Sequence, residues 1–259
     1  MKAMLATASA AAIIAVANPV HAAGPAAATT NGSATSSTVN LNNTVQSATG
    51  GSDDAIQSIG AGDVLNRGTS NVVMSKTRQT ATSAAGVYQE LQVGTVENGG
   101  SSSVQATGTS QSASGGSGAS QGMAIGTVSN GGKSSVQTDN TSQASSGATN
   151  GYQGMAIGAV MDGGSANARA TNTSQSDNGG SGNYQSTSIG TALSGGNTRV
   201  QANNTSQSAT GGSNGSQQLW LGDSVVPGGS TNVTADETHQ VSEGSSRGQQ
   251  TLHAGNVLQ

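Results

Sequence analysis

The chain lacks the residues that stabilise most small secreted or globular proteins. It has no cysteine, no phenylalanine, three prolines and 2% aromatic residues in 259 positions. Without cysteine it can form neither a disulfide framework nor a thiolate metal site. The 32% apolar content includes much alanine, so one large hydrophobic core is not expected.

Charge is also scarce. Charged residues make up 8% of the chain, compared with roughly 25% in typical domains, and the net charge is −4. A nucleic-acid-binding surface needs clustered lysine and arginine to neutralise phosphates. The composition therefore predicts no nucleic-acid partner. It is also unlike a highly charged disordered tail.

The first 22 residues have the pattern of a secretory signal peptide. Lys2 precedes a small apolar run that ends near Val16, and residues 20–22 supply small side chains at the cleavage site. A transmembrane anchor would need about 20 apolar residues, more than this run provides. We expect residues 1–22 to be removed, residues 23–35 to form a flexible leader, and the mature chain to be secreted to the cell exterior or surface.

Two short elements recur along the rest of the chain, about every 32 residues. The first is Thr-x-Gln, whose glutamines are Gln46, Gln79, Gln111, Gln143, Gln175, Gln207 and Gln240. The second is a glutamine followed five residues later by glycine: Gln57/Gly62, Gln89/Gly94, Gln121/Gly126, Gln153/Gly158, Gln185/Gly190, Gln217/Gly222 and Gln250/Gly255. The two one-residue insertions, before Gln57 and near Pro227, fall in glycine-rich gaps, as expected if the gaps are turns.

Each repeat has the local pattern of two β-strands. After the second glutamine, apolar residues alternate, as at Met123 and Ile125, which places them and the glutamine on one face of a strand. Val104 lies five residues before Thr109, and this odd spacing predicts that the two side chains lie on opposite faces of the first strand. Gly, Ser, Asn and Thr dominate, which disfavours helix.

One such unit buries too little to fold alone, so we predict that the units stack. The predicted fold is all-β: a cross-β-like β-solenoid of about seven stacked 32-residue, two-strand rungs over residues 36–259. Stacking at about 4.8 Å would align the glutamines into two columns of hydrogen-bonded amides, the structural ladders. The glycine that follows each second glutamine is expected to supply a turn or bulge where a side chain would clash.

The repeat resembles that of bacterial functional amyloids, in particular the curlin subunits of curli. The matching segments are YQGMAIG at Tyr152 to Gly158 and ATNTSQS at Ala170 to Ser176. Curlin units are shorter, and their glutamine follows the apolar pair. The wide Gly/Ser gaps are also similar to those of Pseudomonas-type amyloid fibre subunits, which typically end in a cysteine pair that this chain lacks.

The resemblance implies a secreted, self-assembling structural subunit of an extracellular amyloid-like fibre that serves in biofilm formation or adhesion. It further implies export through an outer-membrane secretion pore and polymerisation with copies of itself, started by a nucleator subunit. Two alternatives remain open, a monomeric β-solenoid surface adhesin and an ice-binding protein. The second would need flat threonine columns, which Thr107/Thr109 and Thr171/Thr173 suggest.

Catalytic and cofactor-binding patterns are weak. His239 and His253 occur only in the last repeat, and the Gly-x-Ser-x-Gly match at residues 211–215 lacks the strand–turn–helix context of a nucleophile. The acidic residues at 53, 54 and 63 do not form a calcium-binding nonapeptide. We therefore predict no enzyme activity, no metal and no cofactor. Tyr88, Tyr152 and Tyr184 share one column; they could bind sugars, but packing between rungs is the favoured interpretation.

Overall fold

The computed structural model of the protein describes residues 36–255 apart from 51–54, 63, 65–67, 84, 116, 162, 193–195, 212–214, 223–229 and 244–247. The predicted signal peptide (1–22) and leader (23–35) lie outside the described residues, as do the gaps that hold both insertions. The described residues form sixteen strands. None of their segments is a helix that is long and apolar enough to cross a membrane.

The strands follow one another with the period seen in the sequence. In chain order they are β1 (Ser36–Asn42), β2 (Val45–Thr49), β3 (Ala55–Ala61), β4 (Thr69–Ser75), β5 (Arg78–Thr82), β6 (Val87–Val93), β7 (Ser101–Ser114), β8 (Ala119–Ile125), β9 (Lys133–Ser146), β10 (Tyr152–Ile157), β11 (Ser165–Asn178), β12 (Tyr184–Ile189), β13 (Asn197–Thr210), β14 (Ser216–Leu221), β15 (Ser230–Glu243) and β16 (Gln249–Ala254).

All strands pair in parallel and in register within two sheets. The first sheet runs β1-β4-β7-β9-β11-β13-β15, with β2 and β5 continuing the lines of β1 and β4. The second sheet runs β3-β6-β8-β10-β12-β14-β16. Each pass through both sheets is one rung, and equivalent residues in successive rungs lie directly opposite, as do Gln111 and Gln143. The fold is the predicted β-solenoid, with seven rungs separated by steps of 32 or 33 residues.

The interior consists of narrow columns, each built from the same position in successive rungs. The largest apolar cluster, which joins the two sheets, includes Val104, Met123, Ile125, Leu219 and Leu221. A second cluster is made mostly of alanines, and a third stacks valines that follow the turn glycines. Alanine, valine, serine and threonine fill many of these columns, so the interior of a chain without phenylalanine can still be filled.

One expectation about the first sheet is wrong: the valine and threonine columns face the same way. In β9 the buried positions are 134, 136 and 138, then 141, 143 and 145, so the alternation shifts by one residue in the middle of the strand. The residue at the shift, Asn140, has φ 56° and lies outside the pairing ladder. Val136 and Thr141 both point inward because this left-handed residue adds one position between them.

Every rung has a left-handed residue at this bend. They are Asn43, Lys76, Gly108, Asn140, Asn172, Asn204 and Glu237, with φ between 51° and 66°. In the first two rungs the bend separates β1 from β2 and β4 from β5. Asparagine is common at the bend because it tolerates the left-handed conformation better than most side chains.

Replacing Asn172 with valine should therefore destabilise the solenoid. A β-branched residue in the left-handed region should lower the free energy of unfolding by about 1–2 kcal/mol or more. Asn172→Gly should have little effect because Gly108 occupies the same position in another rung. Urea unfolding of the monomer measures both effects. Ser174→Val, two residues along on the outer face, is the control, and equal loss in both valine variants would refute the role of the bend.

Candidate functional site

The glutamines of the first sheet form one continuous column of hydrogen-bonded amides. Gln111 Nε2 donates to Oε1 of Gln79 at 2.8 Å, and Gln143 Nε2 donates to Oε1 of Gln111 at 2.7 Å. The same bond links every neighbouring pair from Gln46 to Gln240, at 2.7–2.9 Å. We call this column the first ladder. Its interior members are buried, with Gln79, Gln111, Gln143, Gln175 and Gln207 each at most 1% exposed.

The glutamines of the second sheet form an equivalent column, the second ladder. Gln121 Nε2 donates to Oε1 of Gln89 at 2.8 Å, and the bond repeats at every step from Gln57 to Gln250, at 2.7–2.8 Å. The structure thus brings together all fourteen glutamines singled out in the sequence, seven in each ladder.

The amides also tie the two sheets together. In the first ladder the second hydrogen of each Nε2 reaches a backbone carbonyl of the second sheet, as from Gln111 to Gly122 at 3.0 Å. From Gln79 to Gln240 the acceptor is always eleven residues ahead. For Gln46 it is twelve ahead, at Ser58, because of the insertion in that gap. Gln153, Gln185 and Gln217 of the second ladder donate in the opposite direction, to carbonyls of the first sheet.

Both ladders have a direction. From the second rung on, every ladder nitrogen donates to the rung before it, so the ladder oxygens of the first six rungs accept from the rung after them. At the last rung, formed by β15 and β16, the Oε1 atoms of Gln240 and Gln250 accept no hydrogen bond from the described residues. Within the described residues, the last rung therefore presents a pair of amide oxygens that accept no hydrogen bond.

The turn glycines make room for the valines of the first sheet. Gly62, Gly94, Gly126, Gly158, Gly190, Gly222 and Gly255 all have φ between 61° and 71°. At Gly126 an added Cβ would lie 2.2 Å from Cγ2 of Val136, ten residues ahead. Where alanine replaces the valine, at Ala168, the same distance from Gly158 widens to 3.1 Å. The backbone conformation favours glycine at all seven positions. A side chain would also clash with a valine at Gly62, Gly94, Gly126, Gly190 and Gly222.

A column of threonines accompanies the first ladder and bears on the ice-binding alternative. Thr109 is fully buried, whereas Thr107 is exposed, since the bend at Gly108 separates them. The Thr-x-Thr pairs thus do not form a flat outer face. The buried hydroxyls of this column have no hydrogen-bond partner among the described residues: those of Thr77, Thr109, Thr141, Thr173, Thr205 and Thr238.

One interior position carries an acid. Asp177 is 4% exposed and stacks between Ser145 and Ala209. Burial raises its pKa to about 6, although the side chains of Asn183 and Ser145 act in the opposite direction. Its Oδ1 accepts no hydrogen bond from the described residues. No sequence pattern marks this buried carboxyl group, because the same column holds alanine or serine in other rungs.

The other residues considered for catalysis or metal binding do not form a common site among the described residues. His253 stacks on Trp220 with ring centroids 4.1 Å apart, while His239 is exposed in β15. In the described part of the chain, His, Asp and Glu form no group of three that could hold a metal ion. Ser213 and the acidic residues at 53, 54 and 63 lie outside the described residues.

A double substitution tests the ladder geometry. Gln143→Glu with Gln175→Glu would place two carboxylates about 4.8 Å apart, a repulsion of about 3.5 kcal/mol at an effective dielectric constant near 20. The free energy of unfolding at about pH 8 should fall by more than the sum of the single variants. The matched pair Gln143→Glu with Gln207→Glu, two rungs apart, should show about half that coupling. Additive losses in both pairs would contradict the stacked ladder.

The buried acid predicts that the free energy of unfolding falls as pH rises. A carboxylate with a lowered pKa has the opposite effect. Because the pKa of Asp177 is raised from 3.8 to about 6, the folded chain binds this proton more tightly than the unfolded chain. Its contribution to the free energy of unfolding should decrease as pH rises from about 4 to about 6. Asp177→Asn should therefore stabilise the monomer at neutral pH and have less effect near pH 4. The exposed Asp236→Asn is the control, and equal pH profiles for all three chains would refute the assignment.

The candidate site thus consists of the two ladders and the last rung, and its chemistry is hydrogen bonding between amides. No protein-family model, curated protein or solved structure matches the chain. The geometry of the two ladders and of the last rung is therefore the basis for any proposal about function.

Proposed function

We propose that the protein is a secreted, self-assembling structural subunit of an extracellular amyloid-like fibre. The observation that carries the proposal is the open last rung. Leu252 of β16 is 52% exposed, whereas Leu219, its counterpart one rung earlier, is fully buried. Gln250 is likewise exposed, whereas Gln217 is buried. An uncovered parallel strand edge with unused amide acceptors is a template for a further strand.

The first rung of another copy has the pattern that this edge requires. Val39, Gln46, Gln57 and Ile59 occupy the same columns as Val233, Gln240, Gln250 and Leu252. Stacking a second chain on the last rung would pair valine with valine, glutamine with glutamine, and isoleucine with leucine. In the folded chain these four first-rung side chains are only 3–7% exposed, so an incoming chain would have to present them before it folds. The junction between chains would then have the same contacts as a junction between rungs.

In this proposal the incoming chain adds rung by rung, each rung serving as the template for the next. The chain would arrive unfolded, because a single rung buries too little apolar surface to be stable alone. Its low charge and modest hydrophobicity are compatible with remaining soluble until it meets the edge. An outer-membrane secretion pore and a nucleator subunit are the partners proposed for export and for the first stacking event.

The mature chain should form filaments without other proteins, with a meridional reflection at about 4.7–4.8 Å and thioflavin binding. A chain that remains monomeric at high concentration with a β-rich spectrum would favour the monomeric adhesin instead. Electron microscopy and fibre diffraction distinguish these outcomes.

Leu252→Lys tests whether the last rung is the growing end. The folded monomer should tolerate the change because Leu252 is half exposed, but a stacked copy would bury an unpaired ammonium group at a cost of several kcal/mol. Thioflavin kinetics should show assembly strongly slowed or abolished. Val73→Lys is the control, since Val73 is 41% exposed on the outer face of the first sheet, away from the last rung. Wild-type kinetics for Leu252→Lys would rule out growth at this edge.

A further inference from the structure

One column on the outer face of the second sheet carries three tyrosines, with Ser120 between the first two. Tyr88 in β6, Tyr152 in β10 and Tyr184 in β12 each precede a glutamine of the second ladder and point away from it. Tyr152 and Tyr184 are register partners whose rings are parallel within 6°, with centroids 5.5 Å apart. The rings pack against each other, as expected from the sequence, yet Tyr88 and Tyr152 remain 45% and 46% exposed. Packing between rungs is therefore not their only possible role.

These rings are held in place by the sheet. The ring of Tyr152 leans along its strand over Gly154, where an added Cβ would lie 2.8–3.1 Å from the ring and its hydroxyl. Tyr184 donates its hydroxyl hydrogen to Oε1 of Gln218 in the next rung at 2.6 Å. Fixed rings lose little conformational entropy when a ligand stacks on them.

Beside the tyrosines lies a shallow groove with a floor of small side chains. Gly122, Ala124, Gly154 and Ala156 form this floor in the third and fourth rungs. Larger side chains stand at both sides, Glu90 and Gln92 in the second rung and Gln218 and Trp220 in the sixth. The sides are four rungs apart, roughly 19 Å at the usual strand spacing. From the second to the sixth rung, the only charged residue among the outward positions of this sheet is Glu90.

We call the outer surface formed by Tyr88, Tyr152, Tyr184 and the adjacent groove the tyrosine face. We propose that the tyrosine face binds a neutral polysaccharide. The C–H face of a pyranose ring is apolar and can stack on an exposed tyrosine ring, while its hydroxyl groups can bond to glutamine and serine side chains at the rim. A polyanion would require cations, and the outward positions of this face hold no lysine or arginine from the second to the sixth rung. The flat β-sheet of another protein molecule would rest on the larger side chains at the two sides of the groove and leave its floor uncovered. A narrow sugar chain can lie along the floor.

This inference goes beyond the proposed fibre, because the groove lies on the side of the stack and not at its end. A monomer and a filament would both present it. In a filament the groove would recur once per chain, so that many weak contacts to one polysaccharide would act together.

Replacing all three tyrosines with serine tests the proposal. Serine is the native residue in the same column at Ser120 and Ser216, so Tyr88→Ser/Tyr152→Ser/Tyr184→Ser should fold. Co-sedimentation with microcrystalline cellulose, with chitin and with a soluble neutral β-glucan as competitor measures binding. We expect the wild-type chain to bind at least one of these polymers and the triple variant to bind about tenfold less, a loss of about 1.4 kcal/mol.

The control variant is Val45→Ser/Val73→Ser, which removes exposed apolar side chains from the outer face of the first sheet. Its binding should equal that of the wild type. No binding by the wild-type chain, or equal binding by the triple variant, would overturn the proposal. The proposal would also be overturned if the triple variant kept its sugar binding but its filaments no longer bundled side by side. The tyrosine face would then be a contact between copies of the chain. Binding by a chain that does not assemble would support this inference and refute only the fibre.

Discussion

The hydrogen bond between glutamine amides in neighbouring rungs is the interaction on which the rest of the structure depends. A primary amide has two hydrogens to donate, and leaving them unsatisfied in the interior would cost roughly 1–3 kcal/mol per group. In the first ladder, one hydrogen bonds to the previous rung and the other bonds to the opposite sheet, as at Gln143. Both bonds exist only when the rungs are aligned residue by residue. A slip of one position would turn the amides outward and break both, so the polar interior fixes a register that alanine and valine alone would leave loosely specified.

The polar interior also explains why many rungs are needed. Much of what is buried is alanine, threonine, serine and glutamine, and the threonine hydroxyls beside the first ladder find no partner in the described part of the chain. Each rung therefore gains little from apolar burial, and its stability comes mainly from its two neighbours. Five of the seven turn glycines strengthen this coupling, because each accommodates a valine methyl group where a Cβ would clash, as Gly94 does for Val104.

The sequence predicted the repeat, the strand pairing and the glutamine columns because these depend only on spacing. The predicted orientation of the valine and threonine columns was wrong because counting alternate residues assumes an unbroken strand. One left-handed residue at the bend shifts the alternation by one position. The residue at that position varies among asparagine, glycine, lysine and glutamate, so no single identity marks it, although asparagine before threonine at 43, 140, 172 and 204 was a usable signal. The buried Asp177 could not be foreseen, since an acid in a column of alanine and serine looks like a surface variant until the shift places it inside. The groove beside Tyr152 likewise depends on small residues in neighbouring rungs, which become adjacent only after stacking.

The direction of the ladders gives the two ends of the stack different chemistry. Every ladder amide donates toward the first rung, so the last rung exposes oxygen atoms and must receive nitrogen donors. Two last rungs placed against each other would bring acceptor to acceptor and could not continue either ladder. A first rung carries glutamine, valine and isoleucine in the columns where the last rung carries glutamine, valine and leucine, so an incoming chain that presents this rung before it folds would continue both ladders in the same direction. For the proposed fibre, chains can therefore join only head to tail, and every subunit in a filament would point the same way. The tyrosine face would then lie along the side of the filament, and growth at the end would leave it exposed.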